Sequence, residues 1–500
     1  MKHTPVLAGA LLAAAAHAAT PERVVQWDIA RRQAPRVPLY RRGAGALTGD
    51  LHNAFARYYV DVEIGTPPQK LQLQLDTGSS DVWVLSSSAS VCAKSNDCSE
   101  GSFDADASST YSVYRENGFN ITYGDGDHAT GDYFTDTLAI AGATVKGFTM
   151  GLAKDAEGLT FGLVGVGYPG LEAIASKDPS DAYPSLGESL VRQNLTNTNA
   201  FSLWLNDLEA STGNILFGGI DTEKYEGDLM RLDVLKDPGP QKYLQYFVAL
   251  TSVEAISVSG RDALTSAGNY TGYALLDSGT TLTKVPQDLA EQFWAEAGAS
   301  YNTQLGDAIL PCSRAQSGGV FSFTFGGSGG PVVNVSMTEL VQNVYSNATF
   351  TSGPFRGQAV CRFGITNSTD LFTILGDTFL RSAYVVYDLV NNQIAIAPAK
   401  VNATAANVVP FASSGAPIPS ATPAPSQSAQ ANGTLGPFAT PTYAASAGFA
   451  SSATTTGSPT STSAPPPSSS PKSSASSLSC TPKNGIALVA TISFALALLL

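Results

Sequence analysis

Apolar and polar residues alternate along many short stretches of this chain. In LQLQLDTGSSDVWV (71–84), three leucines alternate with two glutamines, which predicts a half-buried β-strand that ends in an aspartate. From about Tyr58 to Pro398, short runs of Val, Ile, Phe and Tyr alternate with turns of Gly, Asn, Asp and Ser. The best helix candidate is QDLAEQFWAEAGA (287–299). Together with the abundant glycine and proline, these patterns predict a turn-rich β architecture.

The chain of 500 residues is longer than one core usually organises, so two or more folded units are expected.

Its net charge of −13 has no basic stripe to offset it, which argues against nucleic acid as a partner. The charge is uneven, because residues 1–42 sum to +5 and the remainder to −18. A basic N-terminal segment followed by an acidic remainder has two interpretations. The segment could be a pro-segment that docks electrostatically on the acidic remainder, or its arginines could only mark cleavage sites.

The amino-terminal end has the composition of a secretory signal peptide. Residues 1–18 combine a lysine, a Leu/Ala-rich stretch and a run of small residues, and cleavage is expected near Ala18. The following residues, 19–56, are interpreted as a pro-segment, in which the dibasic pairs at 31–32 and 41–42 are candidate processing sites.

Cysteine usage fits an oxidising compartment. Cys92 and Cys98 would close a short loop, and Cys312 and Cys361 a longer one, which leaves Cys480 unpaired. Eight Asn-x-Ser/Thr sequons also suit a secreted glycoprotein. They lie at Asn120, Asn194, Asn269, Asn334, Asn347, Asn367, Asn402 and Asn432.

The composition changes beyond Val401 to Ser, Thr, Pro and Ala with almost no charge. We interpret residues 401–477 as an extended, O-glycosylated stalk, since no core is expected from such a composition. The chain then ends in IALVATISFALALLL, preceded by a polar spacer and small residues, which is the layout of a GPI-attachment signal over 478–500. A C-terminal transmembrane anchor is the alternative. The expected attachment region contains Ser474, Ser476 and Ser477, and cleavage there would remove Cys480.

A second stretch repeats the first aspartate motif. GYALLDSGTTLTKV (272–285) has the same apolar approach and the same Asp-hydroxyl-Gly-hydroxyl-hydroxyl turn, so Asp277 corresponds to Asp76. Each turn is followed later by two apolar residues and a glycine, in LVG ending at Gly165 and ILG ending at Gly376. We interpret this duplication as two similar lobes that each supply one carboxylate.

Two such turns placed face to face would form an acid–base pair. The carboxylates of Asp76 and Asp277 would lie too close for both to stay ionised, so one would be protonated and the other would act as a base. A common surface turn is the alternative for a single motif, and the matching pair argues against it. The supporting residues are glycines that allow close approach (Gly78, Gly279), hydroxyls that bond the carboxylates (Ser79, Thr280) and hydroxyls that lock the turns together (Thr77, Ser278).

Six stretches resemble the pepsin-like aspartic proteases. They are YYVDVEIGTPPQ, LDTGSSDVWV, ITYGDGDHATGDYFTDTL, GNILFGGID, LLDSGTT and ILGDTFLRSAYVVYDLVNNQIAIA. The resemblance implies an all-β, bilobal pepsin-like fold whose pseudo-two-fold related lobes, 57–227 and 228–400, enclose an active-site cleft. It also implies that Asp76 and Asp277 are catalytic. A shared-proton dyad is the established pattern of that family, so the two arguments are not independent.

The resemblance also assigns a flap over the cleft. Tyr123 and Gly124 would belong to a hairpin there, and Trp83 would hydrogen-bond the tyrosine, although ordinary aromatic packing is the alternative for both aromatic residues. In the family, an acid at the position of Asp125 is associated with accepting lysine at P1, the residue before the cleaved bond. The alternative is that Asp125 and Asp127 are solvated turn residues.

Other motifs carry no comparable argument. GVGYPG (165–170) has a proline where a dinucleotide-binding helix should begin, and GGSGG (326–330) lies in a glycine run without a strand-turn-helix context. His52 and His128 alone, once the signal peptide is removed, support neither a zinc site nor a Ser-His-Asp triad. The second aspartate motif has Ser where many family members have Thr, which keeps the hydroxyl.

The sequence therefore predicts a secreted, zymogen-derived aspartic endopeptidase that acts at acid pH on protein or peptide substrates, with no metal and no cofactor. The stalk and tail resemble the yapsin-like, cell-surface branch found in fungi. They imply a monomer held by a GPI anchor on the outer leaflet of the plasma membrane, with the cell wall as a further location. The alternative is a catalytically inactive pepsin-like protein that serves in cell-wall binding or structure.

Overall fold

A computed structural model describes a large part of the chain, and β-strands dominate it. The described residues are 23–33, 37–38, 47–48, 52–53, 56–95, 98, 100–210, 212–258, 260–265, 270–345, 349–350, 353–370, 372–427 and 449. The strands of the first half are β1 (Val25–Gln33), β2 (Val37–Pro38), β3 (Leu47–Thr48), β4 (His52–Asn53), β5 (Ala56–Ile64), β6 (Gln69–Asp76), β7 (Val82–Leu85), β8 (Ser112–Thr122), β9 (His128–Ile140), β10 (Ala143–Glu157), β11 (Gly162–Gly165), β12 (Ala200–Trp204), β13 (Thr212–Phe217) and β14 (Gly219–Asp221).

The second half is also mainly strands. They are β15 (Met230–Asp233), β16 (Phe247–Ser257), β17 (Gly260–Ala263), β18 (Gly272–Leu276), β19 (Thr283–Pro286), β20 (Ser300–Asn302), β21 (Asp307–Pro311), β22 (Val320–Phe325), β23 (Val332–Ser336), β24 (Val341–Gln342), β25 (Thr349–Phe350), β26 (Val360–Phe363), β27 (Ile365–Ser368), β28 (Thr373–Leu375), β29 (Ala383–Asp388), β30 (Gln393–Pro398), β31 (Val408–Pro410) and β32 (Thr422–Pro423). The α-helices are α1 (Ser90–Ser95), α2 (Leu186–Arg192), α3 (Gln287–Ala297), α4 (Met337–Leu340) and α5 (Asp377–Leu380), and the 3-10 helices are Ala105–Ala107, Pro169–Leu171, Pro179–Asp181 and Cys312–Gln316.

Two large sheets organise the two lobes. One sheet has fourteen strands in the order β32-β15-β30-β29-β12-β13-β1-β5-β6-β11-β7-β10-β9-β8, and the second has eight with β23-β22-β16-β18-β28-β19-β27 as its main path. Strands β15, β29 and β30 of the second half join β12 and β13 of the first, so both halves share the larger sheet. The all-β, bilobal fold predicted from the sequence is confirmed.

The duplicated motif corresponds to a repeated strand arrangement. In the first half, β11 lies between β6 and β7 and runs parallel to β6, with Gly165 opposite Asp76. In the second, β28 lies between β18 and β19 and runs parallel to β18. Gly165 ends β11 and Gly376 follows β28, and both are needed for space: a Cβ on Gly165 would lie 2.6 Å from the backbone of Ser80, and one on Gly376 would collide with the Thr280 carbonyl.

The two elements that the hydrophobic pattern predicted best are present. Strand β6 buries its three leucines, and α3 buries the apolar face that contains Phe293 and Trp294. Helix α3 ends at Ala297 and is capped by Gly298, whose φ of 69° is in the left-handed region where glycine carries no Cβ penalty. The period-2 and period-3.6 patterns therefore identified both elements correctly.

Strand β1, which the sequence placed in the pro-segment, lies in the middle of the larger sheet between β13 and β5. Trp27 is buried and donates a hydrogen bond from its indole nitrogen to the Asp61 carbonyl oxygen (3.0 Å). Arg31 is partly buried and donates to the Leu208 carbonyl oxygen. The first dibasic pair therefore lies within a paired strand, whereas residues 41–42 lie outside the described residues.

Residues 401–427 pack against the body, although the sequence predicts that the stalk begins at residue 401. Strand β31 pairs with β14, and β32 pairs with β15. Phe411 and Ile418 are buried in an apolar cluster, and Lys224 donates to two backbone carbonyls of the segment at 2.7 and 3.1 Å. The predicted boundary is wrong here, because a few apolar side chains dock a segment whose average composition is polar.

Among the described residues, no helix has both the length and the apolar composition needed to cross a bilayer. The predicted signal peptide, the GPI-attachment region with Ser474, Ser476 and Ser477, and Cys480 lie outside the described residues.

Candidate active site

The two aspartate turns meet each other in the structure. Asp76 is the last residue of β6, and Asp277 directly follows β18. Both side chains are buried, with 4% and 8% of their surface exposed. The residue after each aspartate bonds the opposite turn: Thr77 Oγ1 donates to the Leu276 carbonyl (2.9 Å), and Ser278 Oγ donates to the Leu75 carbonyl (3.1 Å).

Each of these hydroxyls also accepts a hydrogen bond from the opposite backbone. The Ser278 amide donates to Thr77 Oγ1 (2.9 Å), and the Thr77 amide donates to Ser278 Oγ (3.1 Å). The four bonds are reciprocal, so they fix the two turns to each other across a pseudo-two-fold axis. Because all four are buried, leaving one unmade would cost the desolvation of a polar group.

The two carboxylates have matching partners. Asp76 accepts from the Gly78 amide (2.8 Å) and from Ser79 Oγ (2.5 Å). Asp277 accepts from the Gly279 amide (2.8 Å) and from Thr280 Oγ1 (2.6 Å). These bonds hold each carboxylate in one orientation.

The glycines of the turns face the opposite carboxylates. A Cβ on Gly78 would lie 2.5 Å from Asp277 Oδ1, and one on Gly279 would collide with Asp76 Oδ1. Any side chain at either position would therefore push the carboxylates apart. This explains why the motif requires glycine at its third position.

The environment of Asp76 favours its protonated form. Burial, followed by the negative charge of Asp277, raises the pKa of Asp76 to about 8. The hydrogen bonds from Ser79 and Gly78 act in the opposite direction and are outweighed. Below that pH, the site holds a carboxylic acid beside a second carboxyl group, which is the arrangement needed for paired general acid and base catalysis.

One supporting residue was not identified from the sequence. The alternation in β6 predicts that Gln74 lies on the polar face, yet it is 5% exposed and its side-chain amide donates to the Gly279 carbonyl (3.2 Å). The polar face of β6 is covered at this point by the turn of the other half. The one feature of the sequence that could have indicated this role is its position, because Gln74 lies two residues before Asp76.

The hairpin of β8 and β9 carries the residues predicted for a flap. At its tip, the Tyr123 amide donates to the Asp127 carbonyl (2.8 Å), which closes the turn that includes Gly124. Trp83 Nε1 donates to the Tyr123 hydroxyl (2.8 Å). Burial, and then the charge of Asp76, raises the pKa of Tyr123 well above its usual range, so the hydroxyl remains protonated beside the dyad.

The two flap acids differ in their surroundings. Asp125 is exposed at the tip, where its Oδ1 accepts from the Asp127 amide (3.2 Å). Asp127 is partly buried and packs against Gly158, where a Cβ would collide with its carboxylate. Burial and the charge of Asp125 raise the pKa of Asp127, and Arg57 opposes that shift. Asp125 is therefore the acid that is available to solvent and to a ligand.

The predicted covalent features are distributed around the body. Disulfides join Cys92 to Cys98 and Cys312 to Cys361. Of the sequon asparagines, Asn120, Asn194, Asn334 and Asn402 are exposed, Asn367 is partly buried, and Asn269, Asn347 and Asn432 lie outside the described residues. Exposure makes glycosylation sterically feasible at the first four.

Comparisons with known proteins agree with this geometry. A family model described as eukaryotic aspartyl protease matches residues 57–399. The probable aspartic-type endopeptidase opsB of Aspergillus oryzae is 38% identical over 80% of this chain and 81% of its own, and that of Aspergillus fumigatus is 40% identical over 79% and 80%. Aspartic proteinase 3 of Saccharomyces cerevisiae is 31% identical over 78% of each chain. An aspartic proteinase structure from Irpex lacteus shares the fold, with a TM-score of 0.55 at 21% identity over 70% of this chain and 96% of that one.

Proposed function

Because the chain belongs to the eukaryotic aspartyl protease family and is an aspartic-type endopeptidase, we propose that Asp76 and Asp277 together hydrolyse peptide bonds at acid pH. The observation that carries this proposal is the pair of turns locked by reciprocal hydrogen bonds, with the pKa of Asp76 raised to about 8. This arrangement keeps one carboxyl protonated beside another without a cofactor.

The proposed reaction uses the pair as acid and base. The ionised member of the pair removes a proton from a water molecule while the water oxygen forms a bond to the amide carbonyl carbon. Asp76, as the protonated member, donates its proton to the carbonyl oxygen. The diol then collapses: the carboxyl that took the water proton gives it to the leaving nitrogen, the C–N bond breaks, and one diol hydroxyl returns its proton to Asp76. These transfers restore the starting state of the pair, to which the shared proton belongs.

The flap is proposed to close over the substrate. Tyr123 would be held in place by its bond to Trp83, and the hairpin would limit access of bulk water to the dyad. The charge of Asp76 contributes to the raised pKa of Tyr123, which supports a position of the flap beside the dyad.

Peptide cleavage at acid pH tests the proposal against the inactive alternative. The secreted protein is expected to cleave a denatured protein substrate at about pH 4–5, and a statine-type transition-state analogue should block this activity, because it mimics the diol. A serine-protease or metalloprotease inhibitor should have no effect. Absence of acid-pH cleavage after processing would favour a cell-wall binding or structural role instead.

We further propose that Asp125 favours basic residues at P1. It is the exposed acid of the flap tip, whereas the carboxylate of Asp127 packs against Gly158. An ionised Asp125 that meets Lys or Arg in a partly desolvated cleft could contribute about 1–3 kcal/mol, or roughly ten- to a hundredfold in specificity. The substrates are proposed to be proteins or peptides with accessible basic residues.

Asp125→Thr is expected to lower kcat/KM for Lys and Arg at P1 by about tenfold or more while leaving hydrophobic P1 cleavage unchanged. A peptide library profiled at about pH 4–5, where an exposed aspartate is still largely ionised, measures this. Asp127→Asn is the matched control and should leave the profile intact. An unchanged profile in Asp125→Thr would contradict the assignment, and a loss in Asp127→Asn alone would transfer the role to that residue.

The ends of the chain are proposed to direct secretion, activation and anchoring. A signal peptide over 1–18 would bring the glycoprotein into the secretory pathway, and removal of a pro-segment within 19–56 would convert a zymogen into the active monomer. Since β1 is paired on both sides, we propose residues 41–42 rather than 31–32 as the processing site. A GPI anchor would hold the enzyme on the outer leaflet of the plasma membrane.

Phosphatidylinositol-specific phospholipase is expected to release the full-length protein from cells, because a GPI anchor is the only link in the proposed arrangement. Deletion of 486–500 should prevent anchor transfer, so that the product is not retained on the membrane. Immunoblots of cell and supernatant fractions measure both effects. Retention of the full-length protein after phospholipase treatment would favour a C-terminal transmembrane anchor.

A further inference from the structure

Phe449, far beyond the catalytic lobes in sequence, is fully buried in the second lobe with 0% of its surface exposed. Its ring lies against Phe321, with the ring centroids 5.0 Å apart and an interplanar angle of 53°. The ring also occupies the space beside Gly319, where a Cβ would collide with it. The pocket is therefore formed by the ring of Phe321 and by the space that Gly319 leaves because it has no side chain.

The backbone of Phe449 is bonded on both sides. Its amide donates to the carbonyl oxygen of Glu296 (3.1 Å), in the last turn of α3, where carbonyls lack partners within the helix. Its carbonyl accepts from the guanidinium of Arg314. That guanidinium also lies beside Gly298, where an added Cβ would be 3.0 Å from it. A positive charge at a helix C-terminus is itself favourable.

The walls of the pocket belong to rigid parts of the lobe. Arg314 lies in the 3-10 helix Cys312–Gln316, which begins at the disulfide to Cys361. Phe321 belongs to β22, which is paired on both edges. The pocket is thus held by a disulfide, a helix end and a central strand, rather than by a loop.

We propose that this pocket, lined by Glu296, Arg314, Gly319 and Phe321, is a docking site for the chain's own C-terminal segment and that Phe449 is the residue it binds. The pocket recognises an aromatic side chain together with the amide and carbonyl of the same residue, so it selects a short peptide segment and not an isolated ring. Docking fixes the point at which the chain leaves the second lobe.

Hydrogen–deuterium exchange of the full secreted chain tests the docking. A site occupied about nine-tenths of the time slows exchange about tenfold, so a peptide containing Phe449 should exchange about tenfold more slowly than one containing Phe438. Phe449→Ala should remove that protection and accelerate exchange in the peptide that contains Gly319. Phe438→Ala, a matched change in the same Ser/Thr/Pro-rich segment, should alter neither.

Two further measurements separate docking from general damage. Cleavage of a short peptide substrate should be unchanged in Phe449→Ala, because the pocket shares no residue with the dyad or the flap. Gly319→Ala should fill the pocket from the opposite side and expose the Phe449 peptide while the wild-type tail is retained. Equal exchange of the Phe449 and Phe438 peptides in the wild type would overturn the proposal, as would protection that survives Phe449→Ala.

Discussion

Asp76→Asn is expected to lower kcat/KM for peptide cleavage by at least about a thousandfold, since general acid and base catalysis each contribute roughly 10²–10⁴. The amide keeps the shape of the side chain, and its oxygen can still accept from the Gly78 amide while its nitrogen donates to the Ser79 hydroxyl. It can neither donate a carboxylic proton nor share one with Asp277. The expected loss is therefore in kcat, with little change in KM, as measured with a fluorogenic peptide at about pH 4–5.

Asp277→Asn should have a loss of the same order, because the two carboxyls act as one unit. Asp228→Asn, at an exposed position, is the matched control and should retain full activity. Thermal unfolding checks that each variant is folded. Substantial turnover by both dyad variants, in preparations free of other proteases, would refute the assignment.

Stability is expected to fall as pH rises from about 5 to 8, because buried carboxyls stay protonated in the folded state. Burial raises the pKa of Glu172 to about 9 and that of Asp76 to about 8. Above its ordinary pKa, each group loses its proton only on unfolding, which lowers the free energy of unfolding by about 1.4 kcal/mol per pH unit. That contribution is fully present at acid pH and is lost as pH approaches the raised value.

Glu172→Gln should therefore flatten the pH dependence by about 1.4 kcal/mol per unit. Glu172 is 0% exposed, and its Oε2 accepts from the Tyr183 amide (2.9 Å), a bond that the glutamine oxygen can keep. Urea unfolding at several pH values between 5 and 8 gives the slope. Glu116→Gln, at an exposed site, is the control and should leave the slope unchanged. An unaltered slope in Glu172→Gln would mean that this carboxyl ionises in the folded state.

The parts of the fold that sequence predicted well are those encoded by local, repeated patterns. The alternation of leucines identified β6, and the paired LVG and ILG segments identified the strands that pass beside each aspartate. The hydroxyls of Thr77 and Ser278 were expected to lock the turns because they occupy equivalent positions in both motifs. A single Asp-Thr/Ser-Gly motif is weak evidence for a site, but its occurrence twice in matching apolar contexts is specific.

The parts that sequence predicted poorly depend on contacts between distant segments. Gln74 looks solvent-facing in its own strand and is buried only because the second turn covers it. The segment 401–427 has a polar average composition, yet a few residues such as Phe411 and Ile418 dock it on the lobes. The pocket for Phe449 depends on a glycine more than a hundred residues earlier. No composition or periodicity signal reports such pairings.

The reciprocal bonds between the aspartate turns have an evolutionary consequence. Each hydroxyl bonds main-chain atoms of the opposite turn, so Thr77 and Ser278 can differ by a methyl group while the lock is preserved. A change that displaces one turn therefore also displaces the carboxylate of the other. Substitutions in the two turns are coupled in this way. A single half could supply two facing aspartate turns only by pairing with a second copy of itself. The two halves of this chain therefore form, within one chain, the two-fold arrangement of a symmetric dimer.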